Sequence, residues 1–92
     1  MAGRGWKSSG LKEAGTGSIK ATPGLVKSVI LVGTTTAGYV TLDDNGTILI
    51  ELRIEAGTAN SYASWNGGPV AFSTDINYTV NGTNCKAIVF YQ

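Results

Sequence analysis

Short apolar runs separated by turn residues occupy the sequence from residue 25 to residue 92. Each run has four to eight residues and is rich in Val, Ile, Leu and aromatic residues, a composition typical of β-strands. Gly, Asn, Asp, Thr and Pro fill most of the connections between the runs. The pattern predicts seven strands: residues 25–32, 39–43, 48–54, 61–65, 70–73, 76–80 and 85–91.

Two of the runs indicate which faces of the strands are apolar. Residues 25–32 (LVKSVILV) are apolar at both alternating positions, which is typical of a strand that is covered on two sides. In residues 47–55, apolar positions alternate with mostly polar ones, so one face is predicted to be core and the other solvated. The predicted core row of that strand is Ile48, Ile50, Leu52 and Ile54.

The connections favour an antiparallel arrangement, because no helical pattern separates one predicted strand from the next. Asn45-Gly46 supplies the positive φ angles of a tight type I′ hairpin turn. Gly, Thr, Ser and Asn make up 37 of the 92 residues, which excludes a helix bundle. We therefore predict an all-β fold, a small antiparallel β-sandwich or barrel of about seven strands, over residues 25–92.

Residues 1–24 have a different character. They contain six glycines and a few isolated apolar residues, with no sustained strand or helix period. So little apolar surface cannot offset a backbone entropy cost of about 1–2 kcal/mol per residue. Pro23-Gly24 marks the boundary with the body. We predict that residues 1–24 form an extended, basic, glycine-rich arm.

Charge separates the same two parts of the chain. Residues 1–27 carry five Lys or Arg and one Glu, a net charge of +4, whereas residues 28–92 carry a net charge of −3. Five cations diluted among glycines are a weak signal for nucleic acid. No apolar run reaches the roughly 18 residues of a membrane span, and the first residues do not resemble a secretory signal. We expect neither a nucleic-acid nor a membrane partner, and synthesis in the cytoplasm.

The residue types on which most enzymes rely are scarce. The chain has no His and a single Cys, Cys85, which we interpret as a small core residue. Residues 43–46 (DDNG) begin like a calcium loop, but an EF-hand would need a bidentate Glu where Ile54 stands. Glu51 and Glu55 would lie roughly 13 Å apart along one strand, too far for a usual glycosidase pair. We predict no enzyme activity, no catalytic residues, no cofactor and no metal site.

Aromatic residues are the more informative candidates. Tyr62, Trp65 and Asn66 lie near a predicted loop, where they suit a subunit interface better than a carbohydrate site. Trp6 stands among glycines with no local core to join, and leaving it exposed would forgo roughly 1.5–3 kcal/mol of burial. We interpret Trp6 as an anchor for another surface.

Four segments resemble small virion proteins of tailed bacteriophages: residues 23–28 (PGLVKS), 40–44 (VTLDD), 57–58 (GT) and 87–91 (AIVFY). The resemblance implies a capsid decoration, or cement, protein that sits on the outside of an assembled shell and links neighbouring capsid subunits. It further implies that the partner is the major capsid protein, that the protein is a homo-oligomer, often a trimer, and that its location is the exterior of the virion.

A physical argument assigns shell binding to the arm. A body of 68 residues is marginal alone, so a repeated partner suits it. We expect the arm to place apolar side chains in grooves of the shell and cations on acidic rims. The capsid-binding residues would be Arg4, Trp6, Lys7, Leu11, Lys12, Ile19 and Lys20. A carbohydrate-binding or host-adhesion module, and a neck or tail component of the same particle, are the alternatives.

Overall fold

The computed structural model describes residues 5–33, 36–56 and 61–92. These residues form two antiparallel β-sheets that enclose one apolar core, with no helix among them. The predicted all-β sandwich is thereby confirmed. The ten strands are β1 (Lys7–Ser8), β2 (Lys12–Glu13), β3 (Gly15–Lys20), β4 (Gly24–Val32), β5 (Gly38–Asp44), β6 (Thr47–Ile54), β7 (Tyr62–Trp65), β8 (Val70–Phe72), β9 (Ile76–Asn81) and β10 (Lys86–Tyr91).

Six of these strands make sheet A and four make sheet B. Sheet A has the order β1-β10-β4-β7, with β2 also paired to β10 and β8 also paired to β4. Sheet B has the order β3-β9-β5-β6. Strands β4 to β10 correspond to the seven that the sequence predicts, and β1 to β3 are additional.

The core lies between the sheets and is built from alternate residues of their strands. In β4, for example, Val29 and Leu31 are fully buried, and their register partners in β10 are Val89 and Ala87. Cys85 also belongs to the core, as its sequence context predicts. The buried apolar side chains are Val26, Val29, Leu31, Val40, Leu42, Ile50, Ile54, Phe72, Ile76, Val80, Cys85, Ala87 and Val89.

The N-terminal residues differ most from their prediction, because residues 7–20 are not an extended arm. Strands β1 and β2 pair with β10, and β3 pairs with β9, so this segment adds an edge strand to each sheet. A ladder uses backbone N–H and C=O groups, which glycine-rich residues possess as fully as apolar ones. The ring of Tyr78 lies where a Cβ on Gly17 would be, so the missing side chain lets the aromatic ring cover the strand.

The predicted core row of β6 is wrong at Ile48, because a β-bulge interrupts the pairing of β6 with β5. The register with β5 shifts between Leu42 and Asp43, so Leu49 has no register partner in β5. The extra residue turns the side chains beyond it to the other face. Ile50 and Ile54 are buried as predicted, but Ile48 lies opposite Asp43 and is 56% exposed.

The predicted hairpin turn between β5 and β6 is present. Asn45 and Gly46 have φ angles of 50° and 96°, the left-handed values that a type I′ turn requires. The backbone N–H of Gly46 donates to the Asp43 carboxylate at 2.9 Å, and that of Asn45 donates to Asp75 at 2.8 Å. The turn is therefore held both by its own strand and by the connection between β8 and β9.

Candidate interaction surface

Strand β4 is apolar on the face that points away from the core as well as on the face that points into it. Because Val29 and Leu31 point inward, the alternation of a strand directs Ile30 and Val32 outward. In the register of sheet A, Ile88 lies opposite Ile30, and Tyr62 lies opposite Val32. The outward side of sheet A thus carries apolar side chains on three adjacent strands.

Trp6 and Phe90 extend this apolar surface towards the other end of the sheet. Phe90 lies opposite Ser8 on one side and Ser28 on the other, and it is half-buried. The Lys27 ammonium nitrogen lies 5.6 Å from the centroid of the Trp6 ring. Since β10 lies between β1 and β4, this contact spans the outside of β10. A cation over an indole ring is a favourable electrostatic contact.

We call this surface the outer A face; it comprises Trp6, Ile30, Val32, Tyr62, Ile88 and Phe90. Tyr62 is 70% exposed and Val32 is 37% exposed, and the other four side chains are half-buried. Among the residues that the structure describes, no strand packs over it. A continuous apolar surface of this kind is typical of interaction sites, whereas scattered exposed apolar residues are not.

The charged groups around the outer A face are mainly cationic. Lys27 stands over Trp6, and Lys7 is exposed in β1 at the edge of the sheet. Lys86 lies opposite Val32 in the register of β10 and β4, and opposite Glu13 in that of β10 and β2, so it borders the outer A face with a carboxylate beside it. An apolar partner surface with carboxylates at its rim would therefore be complementary to the end of the face that contains Trp6.

The residues predicted to form a capsid-binding arm do not make one continuous strip. Trp6 belongs to the outer A face, whereas Ile19 packs on the protein's own core. Lys12 is half-buried with its ammonium nitrogen 5.9 Å from the Tyr78 ring, and Leu11 is 59% exposed. Of the remaining predicted residues, Lys7 is exposed in β1, Lys20 is half-buried in β3 and Arg4 lies outside the described residues.

The structure does not bring Tyr62 and Trp65 together. They are three residues apart in β7, so their side chains lie on opposite faces of sheet A. Trp65 lies opposite Val29 and packs against the core, whereas Tyr62 is on the outer A face. Asn66 is exposed just after β7. The three residues therefore do not form the joint aromatic site that their proximity in sequence suggests.

A cluster of carboxylates links two turns at one end of the sandwich. Asp44 accepts hydrogen bonds from the backbone N–H groups of Ser73 at 2.8 Å, Thr74 at 2.9 Å and Asp75 at 3.3 Å, and from the Ser73 hydroxyl at 2.9 Å. The bond from the Ser73 N–H is the main cause that lowers the pKa of Asp44, while partial burial acts in the opposite direction. These bonds occupy the carboxylate oxygens with protein donors, which gives the cluster a structural role.

The calcium interpretation of this turn finds no geometric basis in the described residues. No group of three or more His, Cys, Asp or Glu side chains there is arranged to hold a metal ion. Asn77 donates its amide N–H to Asp75 at 2.9 Å and to Asp43 at 3.4 Å, so donors also surround the other carboxylates. The acidic residues are thus linked through backbone and amide groups.

An open depression of about 550 Å³ lies at the end of β5 and β6. The Arg53 guanidinium carbon is 5.1 Å from the centroid of the Tyr39 ring, and Arg53 also pairs with Glu51. The guanidinium is therefore already engaged by an aromatic ring and a carboxylate. These contacts lie on the outward face of the edge strand β6, where both Glu51 and Arg53 are exposed.

Comparison of the chain with models of protein families, with curated proteins and with solved structures yields no match. Within the three described ranges, no helix is long and apolar enough to cross a membrane. The outer A face is accordingly the feature on which a functional proposal can be based.

Proposed function

We propose that the protein is a structural, non-enzymatic protein of the capsid decoration type, and that it binds the outer surface of a phage capsid through the outer A face. The virion and its major capsid protein enter this proposal through the sequence resemblance alone. The structure supports the general part of it, which is binding to another protein surface. In the proposal the protein is made in the host cytoplasm and resides on the exterior of the virion.

The single observation that carries the proposal is the apolar outer A face. Water-exposed apolar area costs free energy, roughly 25 cal/mol for each Å², so a partner that covers the face is favoured by the same effect that folds the core. The side chains come from central strands of a sheet, so they are held rigidly before binding. A preformed surface loses less conformational entropy on association than a disordered arm would.

The route of binding therefore differs from the one that the sequence predicts. Residues 7–20 are paired within the sandwich and cannot lie across a shell unless their ladders with β9 and β10 open. Trp6 keeps its proposed role as an anchor, but it acts as one end of the outer A face. Lys7 is one of the cations that were expected to meet acidic rims, and Lys27, which was not among them, adds a second cation beside Trp6.

The test is a binding assay with purified shells that lack the protein. We expect a variant carrying Val32→Glu and Tyr62→Glu to sediment with shells at least tenfold less efficiently than the wild type, a loss of about 1.4 kcal/mol or more. Both side chains are exposed, so the variant should remain folded, which circular dichroism checks. A variant carrying Ile48→Glu and Leu49→Glu is the matched control, because it places two carboxylates at exposed apolar positions of sheet B.

Three results would contradict the proposal. Wild-type protein that does not bind the shells would exclude the decoration role. Equal binding by the wild type and by the Val32→Glu, Tyr62→Glu variant would exclude the outer A face as the binding surface. A loss with the sheet B control as large as that of the Val32→Glu, Tyr62→Glu variant would show that the loss is not specific to the outer A face.

A further inference from the structure

Strand β6 is the edge of sheet B in the described part of the chain. It is eight residues long and pairs with β5 on one side only. No backbone hydrogen bond between described residues joins its outer edge to another segment. An edge of this length offers a row of N–H and C=O groups to which another strand can pair.

The side chains of β6 are arranged symmetrically about Leu52. Glu51 and Arg53 flank it on the outward face and are both exposed, and Ile50 and Ile54 flank the charged pair on the core face. We propose that β6 pairs with β6 of a second copy of this chain, antiparallel and about a two-fold axis at Leu52. The two four-stranded sheets would then form one continuous sheet.

The register follows from charge and from the alternation of faces. With the axis at Leu52, Glu51 of each copy lies opposite Arg53 of the other, and Ile50 lies opposite Ile54. An axis at Glu51 would set two carboxylates against each other, and an axis at Arg53 would set two guanidinium groups against each other; like charges directly opposite are destabilising. An axis between two residues would place outward side chains opposite inward ones.

The exposure of Leu52 provides a second argument for the same axis. Its neighbours in the core row, Ile50 and Ile54, are 6% and 8% exposed, but Leu52 remains half-buried at the edge of the sheet. At the two-fold axis the two Leu52 side chains lie side by side on the core face. Each would cover the part of the other that the single chain leaves in water.

This inference is independent of the proposed function, because it concerns sheet B and a second copy of the chain. The resemblance implies a trimer, whereas two edges that meet about a two-fold axis make a dimer. Many copies on a shell would benefit from such a contact even if it is weak in solution, since neighbouring copies raise the effective concentration.

The experiment measures the mass of the full-length protein by analytical ultracentrifugation up to millimolar concentration. We expect a monomer–dimer equilibrium for the wild type. Glu51→Arg and Arg53→Glu should each weaken the dimer at least tenfold, because each variant sets like charges against each other. An equimolar mixture of the two variants should dimerise again, since every carboxylate of one chain then faces a guanidinium of the other.

Lys7→Glu is the matched control, because it changes an exposed cation on sheet A and should leave the equilibrium unchanged. A wild type that stays monomeric throughout, or that forms a trimer, would overturn the inference. So would a dimer that both charge variants retain, or two weakened variants whose mixture does not recover. Capsid binding is a separate measurement, so failure here leaves the proposed function standing, and failure there leaves the dimer standing.

Discussion

The outer faces of the two sheets share the same antiparallel geometry but carry opposite kinds of side chain. The outer A face carries apolar side chains on three strands, β4, β7 and β10, with Trp6 beside them. The outward rows of sheet B are polar: one row runs through Thr16, Thr79, Thr41 and Glu51, and the next begins with Ser18, Asn77 and Asp43. A polar face is stable in water, whereas an apolar one gains free energy when it is covered. The outer face of sheet A is therefore stabilised by a partner that covers it, whereas the outer face of sheet B is stable in contact with water.

The outward side of sheet B is apolar mainly at the β-bulge of β6, where the side chain of Ile48 points outward. Ile48 and its chain neighbour Leu49, which is 41% exposed, are a small apolar group on one strand, which is common on protein surfaces. On sheet A the apolar residues are contiguous across three strands. Contiguity, more than the exposure of any one residue, distinguishes an interaction surface from an ordinary one.

The largest difference between a buried face and the outer A face is expected when one residue on each face of β4 is replaced by Asp. Leu31→Asp places a carboxylate in a fully buried site and should unfold the protein, a loss of more than about 4 kcal/mol. Val32→Asp, one position later and on the outer A face, should cost no more than about 1 kcal/mol. Urea denaturation followed by tryptophan fluorescence measures both. Similar large losses would mean that the chain itself buries the outer A face.

Truncation compares what the N-terminal segment contributes to each sheet. Removing residues 2–13 takes away β1, β2 and Trp6 from sheet A and should cost about 1–2 kcal/mol in lost hydrogen bonds and apolar burial. Removing residues 2–22 also takes away β3 from sheet B and the burial of Ile19, which adds roughly 1.5–3 kcal/mol. The free energy of unfolding measures the difference. A 2–22 truncation as stable as the full chain would restore the free arm that the sequence predicts.

A change of pH tests the carboxylate cluster, which belongs to the sheet B side. Because the pKa of Asp44 is lowered in the folded protein, its bonds stabilise the fold above the ordinary value of 3.8 and are lost as the pH falls towards the folded value. The thermal midpoint of the wild type should fall on acidification below that value. Asp44→Asn should be less stable at neutral pH and should lose less on acidification. Parallel profiles for the two proteins would exclude Asp44 as the cause.

Local sequence features predicted the parts of the fold that depend on neighbouring residues. The seven strands of the body follow from apolar runs and turn residues, and the Asn45-Gly46 turn follows from the positive φ angles that these residues tolerate. The opposite orientations of Tyr62 and Trp65 were also readable, since their separation is odd in a strand. Proximity in sequence was a poorer guide than the alternation of faces.

Features that depend on distant residues could not be read in the same way. The bulge at Leu49 belongs to the pairing of β5 with β6, and one added residue moved Ile48 from the predicted core to the surface. In the sequence, the outer A face was visible only as the two-sided apolar pattern of residues 25–32. That pattern does not show whether the second apolar face of a strand is covered by the rest of the chain or is exposed at the surface.

The amino-acid sequence by itself determined that this protein is made of short antiparallel strands, because strand propensity and turn chemistry act over a few residues. Only the tertiary structure decided where the glycine-rich N-terminal residues go and which apolar face meets water. Backbone ladders accept almost any residue, so composition could not reveal that β9 and β10 would order residues 7–20. Which face of a strand is buried depends on how the two sheets pack against each other, so the sequence of one strand does not determine it.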